Sequence, residues 1–585
     1  MRGIKRTLAS IKQWYVNALS LPERLAKKEP QLVWKHLIVP PLKLVLFAVR
    51  KIVNLIVAIY RLLKAIVLGV RNFFVGIYIA AKHNPKSFRK GLSSFFLIGL
   101  GQFRNKQWYK GAPLLVVFVI FLLVEFLTSD YIYAPGEIAS MPAEDTLYFF
   151  RDYGGLFTRG LWGFFTLGAL TAGATYRGRQ IVTEDFAYDW LAADNSRTLM
   201  GEGVVILVLV LLLLGLWIYS VRDAYVTDMK IRAGMKVESF KVWMRRVWDR
   251  YFAYFIIIPA VALILLFIVV PFAFSFMVAF TNYDSAISLR SDLVEWHGLV
   301  TFREVFGAEP AYRDFFIKVF RWTAFYAVVS SLTVYILGFI QALIIESKYV
   351  FFKKVWRLIL ILPWAIPGMV SLLVFSNVFG PTDGLANRLL IEAGLLEQVR
   401  SALEWLGLIG REGGTGNIQW FTHRDNANLA RFVIIMVNLW LGFPYFMLLI
   451  TGVLGTIPNE LYEAADIDGG SSTQKFRFIT FPWVLRATAP VIITTFTFNF
   501  NNFGAIYFLT GGGPAYRTAD VPHALRGIAP GQTDILISWI YSMAFESGDH
   551  DAYNLAAVYS ILVFILIGVI SIYYLSKLKS FWEED

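Results

Sequence analysis

The chain has 585 residues, of which 57% are hydrophobic, 16% aromatic and 17% charged, and it contains no cysteine. A soluble chain carries about 25% charged residues, so a disordered chain, a fibrous chain and an ordinary soluble enzyme are excluded. The missing thiols exclude a disulfide framework, a thiolate metal site and a cysteine nucleophile. The net charge of +13 is concentrated at one end: residues 1–111 hold 21 Lys+Arg and 2 Asp+Glu, so the rest sums to −6. That end is also rich in Leu, Ile, Val and Phe, which suits anionic lipids at a membrane surface better than nucleic acid, and no nucleic-acid partner is expected.

In chain order, 37–80 comes first. It is apolar but interrupted by Lys43, Arg50, Lys51, Arg61, Lys64 and Arg71, which at about 100° per residue share one side of a helix. It reads as a helix lying on the inner membrane face, part of a basic extension over 1–111, with a further span carrying snorkelling lysines as the alternative. No cleavable signal peptide follows the basic start. A spanning helix needs about 20 mostly apolar residues, and eight stretches qualify: 112–129, 203–221, 253–281, 319–345, 355–378, 428–452, 487–509 and 555–576. A ninth, 155–173, is short, Gly-rich and carries Arg159. Loop charge decides its status, because cytoplasmic loops are enriched in Lys and Arg. Residues 222–252 hold 8 basic and 4 acidic residues, and 130–202 hold 5 and 10. Two spans between the inner N-terminal region and 222 satisfy both counts, so 155–173 reads as interfacial or re-entrant. Both termini are then expected inside. Residues 112–252 read as two extra spans with an outer loop, 253–576 as the core, and 577–585 as a tail.

The loop 453–486 has no decisive charge balance, with 3 basic and 4 acidic residues. Pro458 opens a helical stretch with Glu460, Glu463 and Asp466, acids suited to a helix N-terminal region. Gly469–Gly470 break it, a second short helix is expected over 471–479, and Pro482 precedes the next span. A helix–Gly–helix elbow between two spans is either a knob offered to a cytoplasmic partner or a plain amphipathic loop. Two spans also carry polar stripes. Asn438, Leu441, Gly442 and Tyr445 recur at i, i+3, i+4 and i+7 beside Pro444, and Thr495, Phe498, Asn499 and Asn502 repeat that spacing in TTFTFNFNNF. An aromatic plate with amides and no Arg or Lys suits a neutral sugar and disfavours phosphate or carboxylate cargo. The same residues equally suit Asn–Asn packing between helices. Pro363 and Pro367 in LPWAIPGMV are expected to kink the span at 355–378.

Glu463-Ala464-Ala465, then Asp468-Gly469, Phe476, Ile479 and Pro482 resemble the EAA motif of ABC importer permeases, with Gly470 and Phe481 departing mildly from its usual Ala and Leu. The stripes, with Leu509-Thr510, Gly512-Gly513-Pro514, Thr533-Asp534-Ile535-Leu536, Ala544-Phe545 and Leu555-Ala556-Ala557, extend the resemblance to MalF-type permeases of maltose and maltodextrin importers over most of 253–576, and more loosely over 96–252. The segment GLGQFRNKQWYKG at 99–111 is similar to one ahead of the first span in many such chains.

The resemblance implies an all-α type I ABC importer permease with about eight spans around a six-helix core. It implies a sugar site at Asn438, Leu441, Gly442, Tyr445, Thr495, Phe498, Asn499 and Asn502, with Thr495 replacing the family's Ser. It makes 458–485 the coupling loop, in which Glu463, Ala464, Ala465, Asp468 and Gly469 meet an ATPase. No G-x-x-x-x-G-K-[ST] occurs, so no catalytic, metal or cofactor site is expected in this chain. ATP and Mg²⁺ belong to a MalK-like ATPase dimer, beside a MalG-like second permease and a sugar-binding protein, in the cytoplasmic membrane of a prokaryote. The large domain that enteric members carry between the spans matching 253–281 and 319–345 is absent, since that loop is only 282–318. The amphipathic stretch 389–406 is the alternative docking candidate for the binding protein. Trehalose or sucrose are alternative cargoes. An ion-coupled secondary transporter is a further alternative, but it needs carboxylates inside the bundle and only Glu125 sits in a span. The histidines His36, His83, His297, His423, His523 and His550 have no ligand spacing, which argues against a membrane-embedded hydrolase.

Overall fold

The computed structural model describes residues 81–129, 154–167, 196–284, 294–308, 310–381, 383–409, 416–423, 426–548 and 552–582, with Leu68, Tyr78 and a pair of two-residue strands, Ile181–Val182 and Tyr188–Asp189. The expected surface helix at 37–80 lies outside the described residues. Apart from that strand pair the regular elements are helical, an all-α membrane fold. The described residues fall into two compact units that divide between Leu299 and Val300.

In the first unit, α1 (Pro85–Phe96) and α2 (Leu100–Arg104) precede α3 (Trp108–Leu127), α4 (Leu156–Thr166), α5 (Ser196–Arg232) and α6 (Phe240–Val278). The spans expected at 112–129, 203–221 and 253–281 fall on α3, α5 and α6. A π-helical turn at Leu265–Val269 interrupts α6 just before Pro271, whose missing N–H loosens the ladder. Helix α4, within the expected interfacial piece, has 11 residues, about 16 Å, too short to cross a core of about 30 Å. Its N-terminus rests on Glu125. One carboxylate oxygen accepts from Gly155 N–H at 3.1 Å, and the other from Phe157 N–H at 2.9 Å and Thr158 N–H at 3.3 Å. The acid within an apolar span is thus engaged in capping a neighbouring helix, where the dipole favours it.

Segment 99–111 owes its polarity to a buried cluster. Gln102 donates to the Ser220 carbonyl at 2.8 Å and accepts from the Ser94 and Ser220 hydroxyls, each at 3.1 Å. Asn105 donates to the Ala224 carbonyl at 2.7 Å. Lys110 pairs with Asp223 at 3.1 Å, and Lys90 and Arg232 both reach Asp228 at 2.6 Å. With its members satisfied inside, such a network fixes α1 and α2 on α5 more specifically than apolar contact alone.

The second unit holds α7 (Pro310–Glu346), α8 (Lys353–Ala365), α9 (Gly368–Val378), α10 (Leu385–Glu392), α11 (Leu396–Trp405), α12 (Asn428–Leu454), α13 (Asn459–Ile467), α14 (Ser472–Phe500), α15 (Phe503–Thr510), α16 (Leu536–Phe545) and α17 (Tyr553–Trp582). Helices α7 and α12 form its spine. A Cβ on Gly338 would lie 2.6 Å from Phe446 Cβ, so the backbones meet there because Gly338 has no side chain. Tyr335 meets the Phe446 ring edge-on at 5.3 Å. The stretch 511–534 is pinned across this spine: Trp322 donates to the Thr533 carbonyl at 2.9 Å, Arg431 to the Gln532 carbonyl at 2.7 Å, and Leu536 N–H to the Thr323 hydroxyl at 3.0 Å. Asp534, the last residue of that stretch, accepts from Gly531 N–H and the Ser538 hydroxyl, each at 2.7 Å. Burial pushes its carboxyl up to about 6. A Cβ on Gly512, at φ +80°, would come within 2.5 Å of this carboxylate.

Four expectations need correction. The span at 355–378 is two helices, α8 and α9, meeting at 84° rather than one kinked helix. The span at 487–509 ends at Phe500, and α15 is a separate helix beginning at Phe503. The second short helix expected at 471–479 is the first part of α14, which continues through a π turn at Phe476–Thr480 into the span. The amphipathic stretch 389–406 is broken at Gly394, φ +68°, into α10 and α11.

Candidate functional site

Two features of the second unit stand out, an internal cavity and an exposed elbow. The cavity has a volume of about 840 Å³ and opens where α8 and α9 part. Pro367 has no N–H to continue the helix, and Ile366 is extended (φ −86°, ψ 135°). Irregular backbone at membrane depth is tolerated where it lines a cavity, and Pro363, Trp364, Ala365, Ile366 and Pro367 all line this one.

The eight residues expected to hold substrate, Asn438, Leu441, Gly442, Tyr445, Thr495, Phe498, Asn499 and Asn502, all line the same cavity. They reach it differently from the single-face picture. Thr495, Phe498 and Asn499 are on α14, whereas Asn502 lies beyond its end and caps α15, its side-chain oxygen accepting from Ala505 N–H at 3.2 Å. This cap turns Asn502 toward both spine helices, and its amide donates to Asn438 Oδ1 of α12 at 3.2 Å and to the Tyr326 hydroxyl of α7 at 3.4 Å. Asn499 is almost fully buried and donates to the Ser331 hydroxyl of α7 at 2.9 Å. Amide glue between helices therefore exists here alongside the cavity lining. Thr495 returns its hydroxyl to the Val491 carbonyl at 2.9 Å. Gly442 has a packing reason as well: a Cβ there would meet both Val334 methyl carbons at 3.0 Å.

The aromatic wall is freer. Phe498 is 66% exposed and Tyr445 38%. Trp364, at 55% exposed, lies 5.9 Å from the Tyr445 ring. Sequence reading missed Trp364, Val334 and Phe446 as lining residues; the signal for Trp364 was its place between two prolines four residues apart. No Lys, Arg, Asp or Glu lines the cavity among the described residues, and no group of three metal-ligating side chains occurs among them. The surface is apolar rings plus neutral amides and hydroxyls, which can bind the apolar faces and hydroxyls of an uncharged ligand.

The elbow begins at Pro458, the N-cap of α13, which carries Glu460 in its first turn. Glu463 and Ala464 are exposed and Ala465 is partly so. Asp468 is the C-cap, and Gly469 turns the chain at φ +72°. Ser471 then caps α14 in a reciprocal box with Gln474. The elbow is braced by the Lys475–Asp466 ion pair, by Tyr462 hydroxyl to Thr480 hydroxyl at 2.9 Å, and by Trp483 Nε1 donating to the Thr456 hydroxyl at 3.4 Å. Yet it displays Ile467 at 88% and Phe478 at 70% exposure. The elbow thus combines internal polar bracing with an exposed surface of Glu460, Glu463, Ile467 and Asp468. A second cavity of about 610 Å³ lies behind it, lined by Tyr462, Thr480, Thr451 and the Glu346–Arg357 ion pair, which ties the end of α7 to α8.

Comparison with known proteins identifies the family of the chain. The family profile described as a binding-protein-dependent transport system inner membrane component matches residues 334–580. The galactooligosaccharides transport system permease protein GanP of Bacillus subtilis (strain 168) is 35% identical over 486 residues, covering 83% of this chain and 96% of the relative. The maltodextrin transport system permease protein MdxF of the same organism is 34% identical over 394 residues, covering 67% and 84%. The maltose/maltodextrin transport system permease protein MalF of Salmonella typhimurium is 34% identical over 275 residues, covering 47% and 48%.

Proposed function

The chain belongs to the MalF-type permeases, inner-membrane components of binding-protein-dependent ABC transport systems, and from that premise we propose that its cavity is one wall of the path of an ATP-driven oligosaccharide importer. As a member of that family it is a multi-pass, non-catalytic membrane subunit of the type I permease fold. The observation that carries the proposal is the convergence of all eight candidate residues on one cavity without charged walls. An uncharged sugar meets there an aromatic plate for its C–H face and amides for its hydroxyls, at a broken helix of the kind that forms transporter sites.

In this reading a binding protein delivers the sugar on the outer side. ATP and Mg²⁺ are held by a separate MalK-like ATPase dimer. Closure of that dimer carries α13 with it, Glu463 making a charged contact in the ATPase cleft with Ala464, Ala465, Asp468 and Gly469 shaping the fit. The elbow moves as a piece because it is braced on α14, and α14 carries Thr495, Phe498 and Asn499. Displacement at the elbow is thereby passed to the cavity, which opens alternately to each side. A MalG-like permease supplies the opposite wall.

Maltodextrins are the first cargo reading, from the cavity residues and the maltodextrin permeases among the relatives. Galacto-oligosaccharides are the second, favoured by the GanP match, which covers more of this chain than the MdxF match. ATP hydrolysis by the full complex in proteoliposomes, with its binding protein and each sugar in turn, separates them. Stimulation by maltotriose alone is expected under the first reading, and stimulation by galacto-oligosaccharides alone moves the cargo. Stimulation by trehalose or sucrose instead keeps the importer reading and moves the cargo again, and stimulation by no sugar, in an assembled complex, overturns the assignment.

A further inference from the structure

Transport through the cavity leaves α1 in the first unit unexplained. Its sequence, PKSFRKGLSSFF, is amphipathic in an unusual way. Its buried residues are all small, Ser87, Gly91, Ser93 and Ser94, and a Cβ on Gly91 would lie 3.1 Å from Tyr225 Cβ on α5. The opposite face exposes Lys86, Arg89, Leu92, Phe95 and Phe96. At about 100° per residue, Lys86, Arg89, Phe96 and Leu92 lie within a sector of about 120°, with Phe95 about 60° beyond Leu92 and the small Ser93 tucked beneath the sector. This is one stripe, basic in its first half and apolar in its second.

The depth of that stripe is set by α5. Lys90 pairs with Asp228 at one end, and the Phe95 carbonyl accepts from Trp217 Nε1 at 2.9 Å near the other. Those two anchors are 11 residues apart on α5, about 16 Å along its axis, or roughly half of a hydrocarbon core about 30 Å thick. Helix α5 is apolar from Val204 to Tyr219 and charged from Arg222 onward, with Asp223, Asp228, Lys230 and Arg232. The apolar half of the stripe is therefore level with the apolar part of a spanning helix, and its basic half is level with the charged end. Neighbouring cations are already neutralised: Lys90 and Arg232 by Asp228, and Lys110 by Asp223. Lys86 and Arg89 are exposed and enter no ion pair among the described residues.

We propose that this stripe is a binding site for an anionic phospholipid, with the headgroup phosphate between Lys86 and Arg89 and the acyl chains along Leu92, Phe95 and Phe96. Charge and depth agree on this occupant. A free phosphate would use the cations but leave the rings bare, whereas a neutral lipid would use the rings but leave the cations without a partner. The leaflet is the cytoplasmic one, since the charged end of α5 runs into the basic segment 222–252. The proposal is independent of which sugar is carried.

Native mass spectrometry of the full complex, equilibrated with equal amounts of phosphatidylglycerol and phosphatidylcholine, tests it. The native complex is expected to retain phosphatidylglycerol preferentially. Each basic residue near an anionic surface contributes roughly a fivefold gain in affinity, so K86Q/R89Q is expected to lose about 25-fold of that preference. Sugar-stimulated ATP hydrolysis in detergent is expected to stay unchanged, which reports intact folding. The pair R245Q/R250Q, on the exposed side of α6, is the control and is expected to keep the preference. Equal retention of both lipids by the native complex would overturn the site, as would preference surviving in K86Q/R89Q. Equal loss in the control would replace it with a diffuse field, and displacement by millimolar inorganic phosphate would show a bare anion site.

Discussion

Glu463→Lys is expected to abolish sugar-stimulated ATP hydrolysis while the permease still folds and reaches the membrane. Glu463 is exposed on α13 and forms no ion pair among the described residues, whereas Asp466, three residues further on, is held by Lys475. Its replacement disturbs the isolated chain only through the helix dipole, an effect of about 0.3–1 kcal/mol. At a docked interface the same reversal removes one charge-assisted contact and opposes like charges, a cost of about 2–5 kcal/mol. That is a loss of roughly 30-fold to several thousand-fold in docking. The measurement is ATP hydrolysis by the reconstituted complex with binding protein and sugar, beside a membrane-fraction assay for the subunits. Normal stimulated turnover in the mutant would remove α13 from the coupling role.

Phe498→Ala is expected to lower sugar uptake about 30-fold with assembly intact. Phe498 is 66% exposed on the cavity wall, so truncation opens no hole in a packed core, and a stability loss of the kind seen at buried aromatics does not apply. What is lost is contact with the ligand. Burying an aromatic side chain contributes about 2 kcal/mol, which corresponds to the stated factor. Labelled-sugar uptake into proteoliposomes, with the subunits quantified, reads the effect. Unchanged uptake would return this face of α14 to helix packing.

Hydropathy placed the long helices because twenty apolar residues leave few alternatives, and α3, α5, α6, α7 and α12 appear where it put them. The elbow was legible because Gly469 and the acidic first turns are local signals. What failed was continuity. The sequence FNFNNF reads as unbroken helix because Phe and Asn are tolerated there, but Asn502 stabilises α15 as its cap and the ladder stops at Phe500. Local capping outweighed periodicity at that point. Conversely, Pro482 looks like a boundary yet sits at the second position of the α-helical stretch that follows a π turn, where its missing N–H costs little. The prolines at 363 and 367 announced a kink, but not its size of 84°, since two prolines fix where the helix breaks and not the angle between its parts. The partners of Asn499 and Asn438 were unreadable for the same reason: Ser331 and Asn502 are distant in sequence. Glu125 stood out as an intramembrane acid, and only the fold reveals the start of α4 on top of it.

The most direct test of the account uses the chain's lack of cysteine. A single Thr495→Cys places one thiol on the cavity wall in an otherwise thiol-free permease. Its labelling by a membrane-impermeant maleimide added from the outside is followed in the full complex. Labelling is expected to rise when binding protein and a non-hydrolysable ATP analogue are present, and to fall when the cargo sugar is added at saturating concentration. Labelling indifferent to both nucleotide and sugar would contradict the claim that this cavity is the sugar path and that the ATPase controls its opening.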